Sequence, residues 1–177
     1  MLGSFPPPRT RWSLDFFYPN YINDMWRVMG YVFYHDRLHF VDEAHRTFRL
    51  DLIVPFLEEK GIALYDTATA VRRLRDNASD KFLEILQPTD IAALANNLPL
   101  LKAVVTTGQK ATDTFLKTIN LQGEAITAPH IGSSTAFNLF GRTIRFYRMP
   151  STSRAYPLSF EKKSARYAQM FHELGIL

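Results

Sequence analysis

The chain has 177 residues, a formal net charge of +4 and no cysteine. A chain of this length can bury most of its apolar surface around one core, so we expect a single domain over residues 1–177. The absence of cysteine excludes disulfides, thiolate metal sites, iron–sulfur clusters and cysteine nucleophiles, and it fits a reducing, cytoplasmic location. No apolar run approaches the roughly 18–20 residues of a membrane-spanning helix, so we expect no membrane association.

The basic residues are unevenly distributed along the chain. Residues 142–166 hold one acidic residue and seven basic ones: Arg142, Arg145, Arg148, Arg154, Lys162, Lys163 and Arg166. This block therefore carries +6, and the rest of the chain sums to −2. A basic block around a Pro/Ser/Thr loop is typical of a phosphate-binding surface, although a solvated basic face without a partner fits equally well.

Apolar runs and capping residues predict strands and helices that alternate along the chain. Strands are predicted at residues 1–4, 62–65, 101–106 and 143–149. Helices are predicted at residues 23–34, 46–60, 66–75, from 77, from 89 to 96 or 97, at 111–118 and at 159–174, and a loop at 132–135. This alternation indicates an α/β fold, a three-layer α/β/α sandwich around about four parallel strands. The site should lie at the carboxyl ends of those strands.

A polar amide side chain stands at the N-terminus of the first predicted helix. Trp26, Met29 and Phe33 share one apolar face, and Asn23 stands at the helix start. Asn23 is then either an N-cap or a functional amide, with Asn20 as the alternative. Asp24 is expected to point elsewhere and to serve the helix dipole. The preceding aromatic residues, Phe16 to Tyr18, can stack on a planar ring.

Two further groups of polar residues have competing interpretations. His35 and His39 stand four residues apart and can share a helical face as zinc ligands, but solvated or capping histidines are the stronger interpretation, and no metal is expected. Asp66 follows a predicted strand, where it is either a ligand-binding carboxylate or a plain N-cap.

Four short motifs occur in the order found in one enzyme superfamily: GSFP at residues 3–6, NDMW at 23–26, IALYD at 62–66 and MPSTS at 149–153. Together they resemble the uracil-DNA glycosylase superfamily, most closely its hypoxanthine-DNA and mismatch-specific uracil glycosylase branches. The resemblance covers nearly the whole chain. Relative to the family pattern, this chain has two extra residues between Pro19 and Asn23, and its downstream loop has no histidine.

The resemblance implies a monofunctional DNA glycosylase that hydrolyses the N-glycosidic bond of a flipped uracil or hypoxanthine and leaves an abasic site. It implies Asn23 as the catalytic residue, holding a water. The implied base-binding residues are Gly3, Ser4, Phe5, Phe17, Tyr18 and Asp66. The implied DNA-binding residues are Pro150, Ser151, Thr152, Ser153, Arg154 and Tyr156. DNA with a damaged or mismatched base is the expected partner of a monomer without cofactor.

Two other classes of protein remain as alternatives. A non-catalytic nucleic-acid-binding module on the same fold would keep the basic loop and the aromatics but would not depend on Asn23. An α/β hydrolase or a nucleotide-binding protein would need a signature that this sequence lacks, since it contains no GxSxG, P-loop or GxGxxG motif.

Overall fold

The structure is a computed structural model that describes residues 1–74, 80–121, 123, 126–139 and 141–177. The chain divides into two compact units, each built from two separate stretches. The first unit comprises Met1–Phe5 and Tyr65–Met149, and the second comprises Pro6–Leu64 and Pro150–Leu177. The single domain predicted over residues 1–177 stays a prediction.

The described residues form strands and helices whose bounds follow in chain order. The strands are β1 (Leu2–Gly3), β2 (Val41–Asp42), β3 (Thr47–Phe48), β4 (Tyr65–Asp66), β5 (Ala68–Arg73), β6 (Leu83–Pro88), β7 (Ala103–Thr107), β8 (Ser133–Leu139) and β9 (Arg142–Met149). The α-helices are α1 (Met25–Tyr34), α2 (Leu50–Lys60), α3 (Ile91–Asn96), α4 (Gln109–Leu121) and α5 (Phe160–Leu174). Short 3₁₀ turns lie at Arg9–Arg11 and Asp80–Phe82.

The first unit is built on a five-stranded sheet in the order β4-β1-β7-β9-β8. The strands β4, β1, β7 and β9 are parallel, while β8 is antiparallel to β9 at one edge. This mixed sheet with helices confirms the predicted α/β class. The four parallel strands are those predicted from apolar runs, although β4 consists of Tyr65–Asp66 and Tyr65 is exposed, where a buried strand was expected at 62–65.

Helices α3 and α4 cover one apolar face within the first unit. Its core brings together Ile91 of α3, Phe115 of α4 and Phe146 of β9. The β-branched residues of β7 suit its place between two parallel neighbours, where its residues from Val104 to Thr107 are all buried. The sheet therefore exists because α3 and α4 remove its apolar side chains from water.

Three predicted elements of the first unit are wrong. A helix was expected over 66–75, but Ala68–Arg73 is a strand that pairs antiparallel with Leu83–Pro88. Backbone pairing with a distant segment overrides the local helical preference here. The loop predicted at 132–135 instead begins β8, which pairs with β9. The helix predicted to begin at 77 starts outside the described residues, but its described part is wrong, since Asp80–Phe82 is a short 3₁₀ turn and Leu83–Pro88 is a strand.

The second unit packs α1 against α5, with α2 and the β2–β3 hairpin nearby. Phe33 of α1 lies with its ring centroid 4.9 Å from both Phe56 of α2 and Phe171 of α5. The sequence predicts Gly61 as the C-cap of this helix, and Gly61 indeed ends α2 in a left-handed conformation. The helix predicted over 46–60 begins only at Leu50, because Thr47–Phe48 forms β3.

The inward face of α5 is more polar than predicted. Its buried side chains are Lys163, Ser164, Tyr167, Met170 and Phe171. The sequence pattern predicts that Phe160, Ala168, Phe171 and Leu174 face inward, but of these only Phe171 is buried and the others are partly buried. A buried lysine requires a compensating partner, and that partner lies at the start of α1.

Candidate functional site

The start of α1 carries two polar side chains that point to different partners. Met25 and Trp26 are fully buried, which fixes the orientation of the helix mouth. Asp24 is the residue that precedes the helix, but its side chain makes no capping hydrogen bond. Asn23 takes that role from one position earlier, since its Oδ1 accepts a hydrogen bond of 2.9 Å from the Met25 N–H.

Asn23 is in direct contact with the Ser/Thr loop that follows β9. The Thr152 hydroxyl donates a hydrogen bond of 2.9 Å to Asn23 Oδ1, and the Asp24 N–H donates one of 3.0 Å to the Thr152 carbonyl. Thr152 is buried, with 2% of its surface exposed. The predicted catalytic amide and the predicted DNA-binding loop therefore belong to one hydrogen-bonded group within the second unit.

Helix α5 holds the same loop from its other side. The Tyr167 hydroxyl donates to the Pro150 carbonyl at 3.0 Å, and Lys163 Nζ donates to the Ser153 carbonyl at 2.7 Å. Burial raises the pKa of Tyr167 well above its ordinary value, so this hydroxyl keeps its proton and stays a donor. Backbone carbonyls on both sides of Thr152 are thus fixed by side chains from one helix.

Asp24 is the anionic centre of this group. Its Oδ1 lies 2.9 Å from Arg154 Nε, and its Oδ2 lies 3.5 Å from Lys163 Nζ. The Lys163 and Asp24 side chains are 2% and 6% exposed, whereas that of Arg154 is 46% exposed. Two cations around one carboxylate give the group a net positive charge, and Arg154 is its solvent-exposed member.

Arg154 is bound to Asp24 through Nε, which leaves its two terminal amino groups for other contacts. Among the described residues, these two amino groups have no hydrogen-bond partner. A guanidinium fixed by Nε presents both amino groups in a defined plane, the geometry that suits bidentate contact with a phosphate. Tyr156, two residues further, is half-buried, and its N–H donates to the Ser153 carbonyl at 3.1 Å.

The predicted aromatic platform is organised around Trp26. The Phe16 ring lies 6.1 Å from that of Trp26 and meets the Phe17 ring edge-on at 5.3 Å. The Trp26 Nε1–H donates to the Phe17 carbonyl at 3.2 Å. Tyr18 adopts a left-handed φ of 52°, which is rare for a residue with a bulky side chain. Phe17 and Tyr18 are both half-buried.

Arg27 supports the segment that leads into Asn23. Its Nη1 donates to the carbonyls of Tyr21 at 2.7 Å and Asn23 at 3.2 Å, and its guanidinium lies 4.6 Å from the Tyr21 ring centre. Burial, with the positive charge of Arg154, lowers the pKa of Arg27. The alternative amide, Asn20, binds its own turn, since its Oδ1 accepts from the Ile22 N–H.

The other predicted base-binding residues belong to the first unit. Gly3 ends β1, Ser4 and Phe5 follow it, and Asp66 ends β4. The Gly3 carbonyl accepts from the Thr67 N–H at 2.8 Å, so the turn after β1 is fixed against the end of β4. The Ser4 hydroxyl donates to Asp80 at 2.8 Å.

Asp66 and Asp80 have perturbed acidities in this part of the first unit. Burial raises the pKa of Asp66 to about 6, and the charge of Asp80 adds to that rise. Burial also raises the pKa of Asp80, against the lowering effect of the Ser4 hydroxyl. Asp80 did not stand out in the sequence, where it lies far from both β1 and β4.

Each of the three histidines between α1 and β3 has its own local surroundings. His35 ends α1 in a left-handed conformation, and His39 stacks on Tyr34 with ring centres 3.7 Å apart. His45 lies 2.8 Å from Asp42. Within the described ranges, no group of three or more His, Asp or Glu side chains is placed to hold a metal ion.

Much of the basic block has a structural role. In the first unit, Arg142 donates to the carbonyls of Ala95 in the last turn of α3 and of Leu98 and Pro99 beyond it, and Arg148 donates to the Pro129 carbonyl and to Gln109. Arg154 and Lys163 bind Asp24. Arg145, Lys162 and Arg166 are exposed. The net charge of +6 therefore overstates the cations that are available to a phosphate backbone.

Comparisons with protein-family models, with curated proteins and with solved structures found no match. Of the helices in the described part of the chain, none combines the length and apolar character needed to cross a membrane.

Proposed function

We propose that this protein is a DNA glycosylase of the uracil-DNA glycosylase superfamily that hydrolyses the N-glycosidic bond of a flipped uracil or hypoxanthine and leaves an abasic site. The proposal includes the three-layer α/β/α arrangement of that superfamily. It also includes action as a cytoplasmic monomer without a cofactor, on DNA with a damaged or mismatched base.

One observation carries the proposal, the hydrogen bond between the Thr152 hydroxyl and Asn23 Oδ1. These two residues are 129 positions apart in the chain, and the family resemblance implies separate roles for them in one reaction. A catalytic amide must lie beside the loop that binds the DNA backbone, because the glycosidic bond and the phosphate are attached to the same sugar. The contact meets that requirement within a single unit.

The Ser/Thr loop carries the types of side chain that bind the phosphate backbone of DNA. Ser151 and Ser153 are half-buried hydroxyl residues, and the side chain of Arg154, next in the chain, is 46% exposed. Short hydroxyl side chains and arginines are the usual partners of phosphate oxygens. Since α1 and α5 hold the loop in place, little conformational entropy is lost when it binds.

Asn23 supplies hydrogen bonding and no proton transfer, because an amide does not ionise at neutral pH. The rate enhancement then comes from holding a bound group in place while the glycosidic bond stretches toward an oxocarbenium-like state. Phe17 is the proposed stacking partner of the flipped base. We expect slower catalysis than in relatives with a carboxylate at this position.

The test is an assay for base release from duplexes that contain uracil, hypoxanthine or xanthine, read as alkali-labile abasic sites. We expect release by the wild-type protein and a loss of release of about 100-fold in Asn23→Ala, well beyond any loss of DNA affinity. Asn20→Ala is the matched control, since it removes a neighbouring amide that binds only its own turn. Release that persists in Asn23→Ala would remove Asn23 from the reaction.

One observation favours a non-catalytic DNA-binding module as the second candidate. The Met25 N–H bond to Asn23 is what a purely structural cap would make. In that case the wild-type protein would bind duplex DNA with a salt-dependent affinity but release no base from any of the three substrates.

A further inference from the structure

The carbonyl oxygen of Asn23 is already saturated. The Met25 backbone N–H can only donate, so the atom 2.9 Å away from it must be the oxygen of the amide. The Thr152 hydroxyl donates to the same oxygen from 2.9 Å. A carbonyl oxygen accepts two hydrogen bonds through its two lone pairs, and both positions are taken.

The nitrogen of the same amide remains open. Within the described part of the chain, Ser164 Oγ is the single buried side-chain nitrogen or oxygen without a hydrogen-bond partner. Asn23 is half-buried, and its Nδ2 also has no hydrogen-bond partner among those residues. Since Ser164 Oγ is the single atom that is both buried and without a partner, Asn23 Nδ2 is not buried, and solvent reaches it. The side chain thus presents two N–H donors and no acceptor to an incoming ligand.

We propose that Thr152 is a positioning residue that turns Asn23 into a hydrogen-bond donor toward an oxygen acceptor of the DNA. This inference rests on the proposed function and specifies the role of Asn23 within it. Asn23 does not accept a hydrogen bond from the attacking water, because its oxygen has no lone pair left. Thr152 acts through Asn23, since its own hydroxyl proton is directed to that oxygen and its side chain is buried.

The decisive variant is Asn23→Asp. The aspartate keeps the size of the side chain, and one of its oxygens accepts the same two bonds from Met25 and Thr152. Its second oxygen stands where the NH₂ group was and can only accept. We expect DNA affinity and single-turnover release to fall by about tenfold or more. Rates that rise or stay unchanged would overturn the proposal, because a carboxylate is a better acceptor for water than an amide.

Asn20→Asp controls for the added negative charge, since it introduces the same charge three residues earlier. We expect less than a threefold loss of affinity there, which separates the lost donor from general repulsion of DNA. An equal loss in both variants would overturn the assignment of a donor to Asn23.

Thr152 is tested by a double-mutant cycle. We expect Thr152→Val to lower release and Thr152→Ser, which keeps the hydroxyl, to restore it. In an Asn23→Ala background, Thr152→Val should have no further effect, because the hydroxyl has lost the oxygen that it orients. A full additional loss in that background would show that Thr152 acts independently of Asn23.

A spectroscopic measurement separates this inference from the proposed function. The side-chain NH₂ resonances of Asn23 are followed by ¹⁵N NMR while an undamaged duplex is added to the wild-type protein. We expect both resonances to shift, whether or not any base is released. Resonances that stay in place while backbone signals of Ser151–Ser153 move would overturn the donor role. If base is released but the Asn23 resonances do not shift, the proposed function is supported and the donor role of Asn23 is ruled out.

Discussion

Asp24 and Lys163 form an ion pair in which both side chains are almost completely removed from water, with Oδ2 and Nζ 3.5 Å apart. Lys163 also donates to the Ser153 carbonyl, and Arg154 binds the second carboxylate oxygen. The pair joins the mouth of α1, the Ser/Thr loop and α5. Its desolvation cost is offset only while all of these contacts persist together.

We expect Asp24→Asn to destabilise the protein by about 3–5 kcal/mol, because it leaves Lys163 as a buried cation without a counter-ion. Urea unfolding followed by circular dichroism measures the change. Glu58→Gln is the control, since it neutralises an exposed carboxylate on α2 and should change stability by less than about 0.5 kcal/mol.

The double variant Asp24→Asn with Lys163→Met removes both charges and should recover part of that loss, since buried ion pairs are often replaceable by apolar residues. Equal stability of the single and double variants would show that the carboxylate acts through Arg154 alone.

Arg154 should make a phosphate contact that the equally charged Arg166 does not make. Replacement of Arg154 by Gln should reduce the slope of log affinity against log salt concentration by about 1, because one fewer counterion is released on binding. Arg166→Gln makes the same change in net charge on an exposed position of α5 and should leave the slope unchanged. Fluorescence anisotropy of a labelled duplex from low to moderate salt measures both slopes.

The raised pKa of Asp66 predicts a stability that falls as pH rises. The folded state holds a proton on Asp66 up to about pH 6, whereas the ordinary pKa of 3.8 applies on unfolding. Between these values the folded state binds more protons, so the free energy of unfolding decreases with increasing pH, by on the order of 1–3 kcal/mol. Asp66→Asn should flatten this part of the profile. Asp113→Asn, at an exposed position of α4, should retain it.

Gly30 allows α1 to end against the following turn. A Cβ atom at this position would lie 2.6 Å from the Asp36 carbonyl oxygen and 3.2 Å from the His39 Cβ. We expect Gly30→Ala to lower the melting temperature, with a cost of about 1–3 kcal/mol from backbone displacement. Alanine is otherwise the better helix former by about 1 kcal/mol, so a stabilised variant would show that the turn moves aside freely.

Local signals in the sequence were sufficient for several elements. The Ser159 side chain accepts from the Lys162 N–H, as its place before the amphipathic pattern of α5 suggests. The apolar run of β7 was recognisable without its partners. In contrast, β5 contains Ala, Thr and Arg without a regular alternation of large apolar side chains, so its state depends on pairing with β6. Such pairing is not encoded in a local window.

The candidate site, too, could be predicted from the sequence only in part. Asn23 and Thr152 were both recognisable as candidates, but their hydrogen bond depends on tertiary structure. Lys163 could have been recognised from helical periodicity, because it lies four, seven and eight residues before Tyr167, Met170 and Phe171, all of them buried. A lysine in phase with such residues indicates a buried cation, and hence a buried carboxylate elsewhere in the chain.

The two-residue strand β1 lies inside the sheet, with partners that come only at Tyr65 on one side and Thr106 on the other. During synthesis, β1 can therefore pair with β4 only after Tyr65 has left the ribosome, and with β7 only after Thr106 has followed. Closing such long loops is slow, and until β1 has paired on both sides the sheet lacks the strand that joins β4 to β7. Nascent chains should accordingly be most exposed to aggregation and to chaperone capture during this interval.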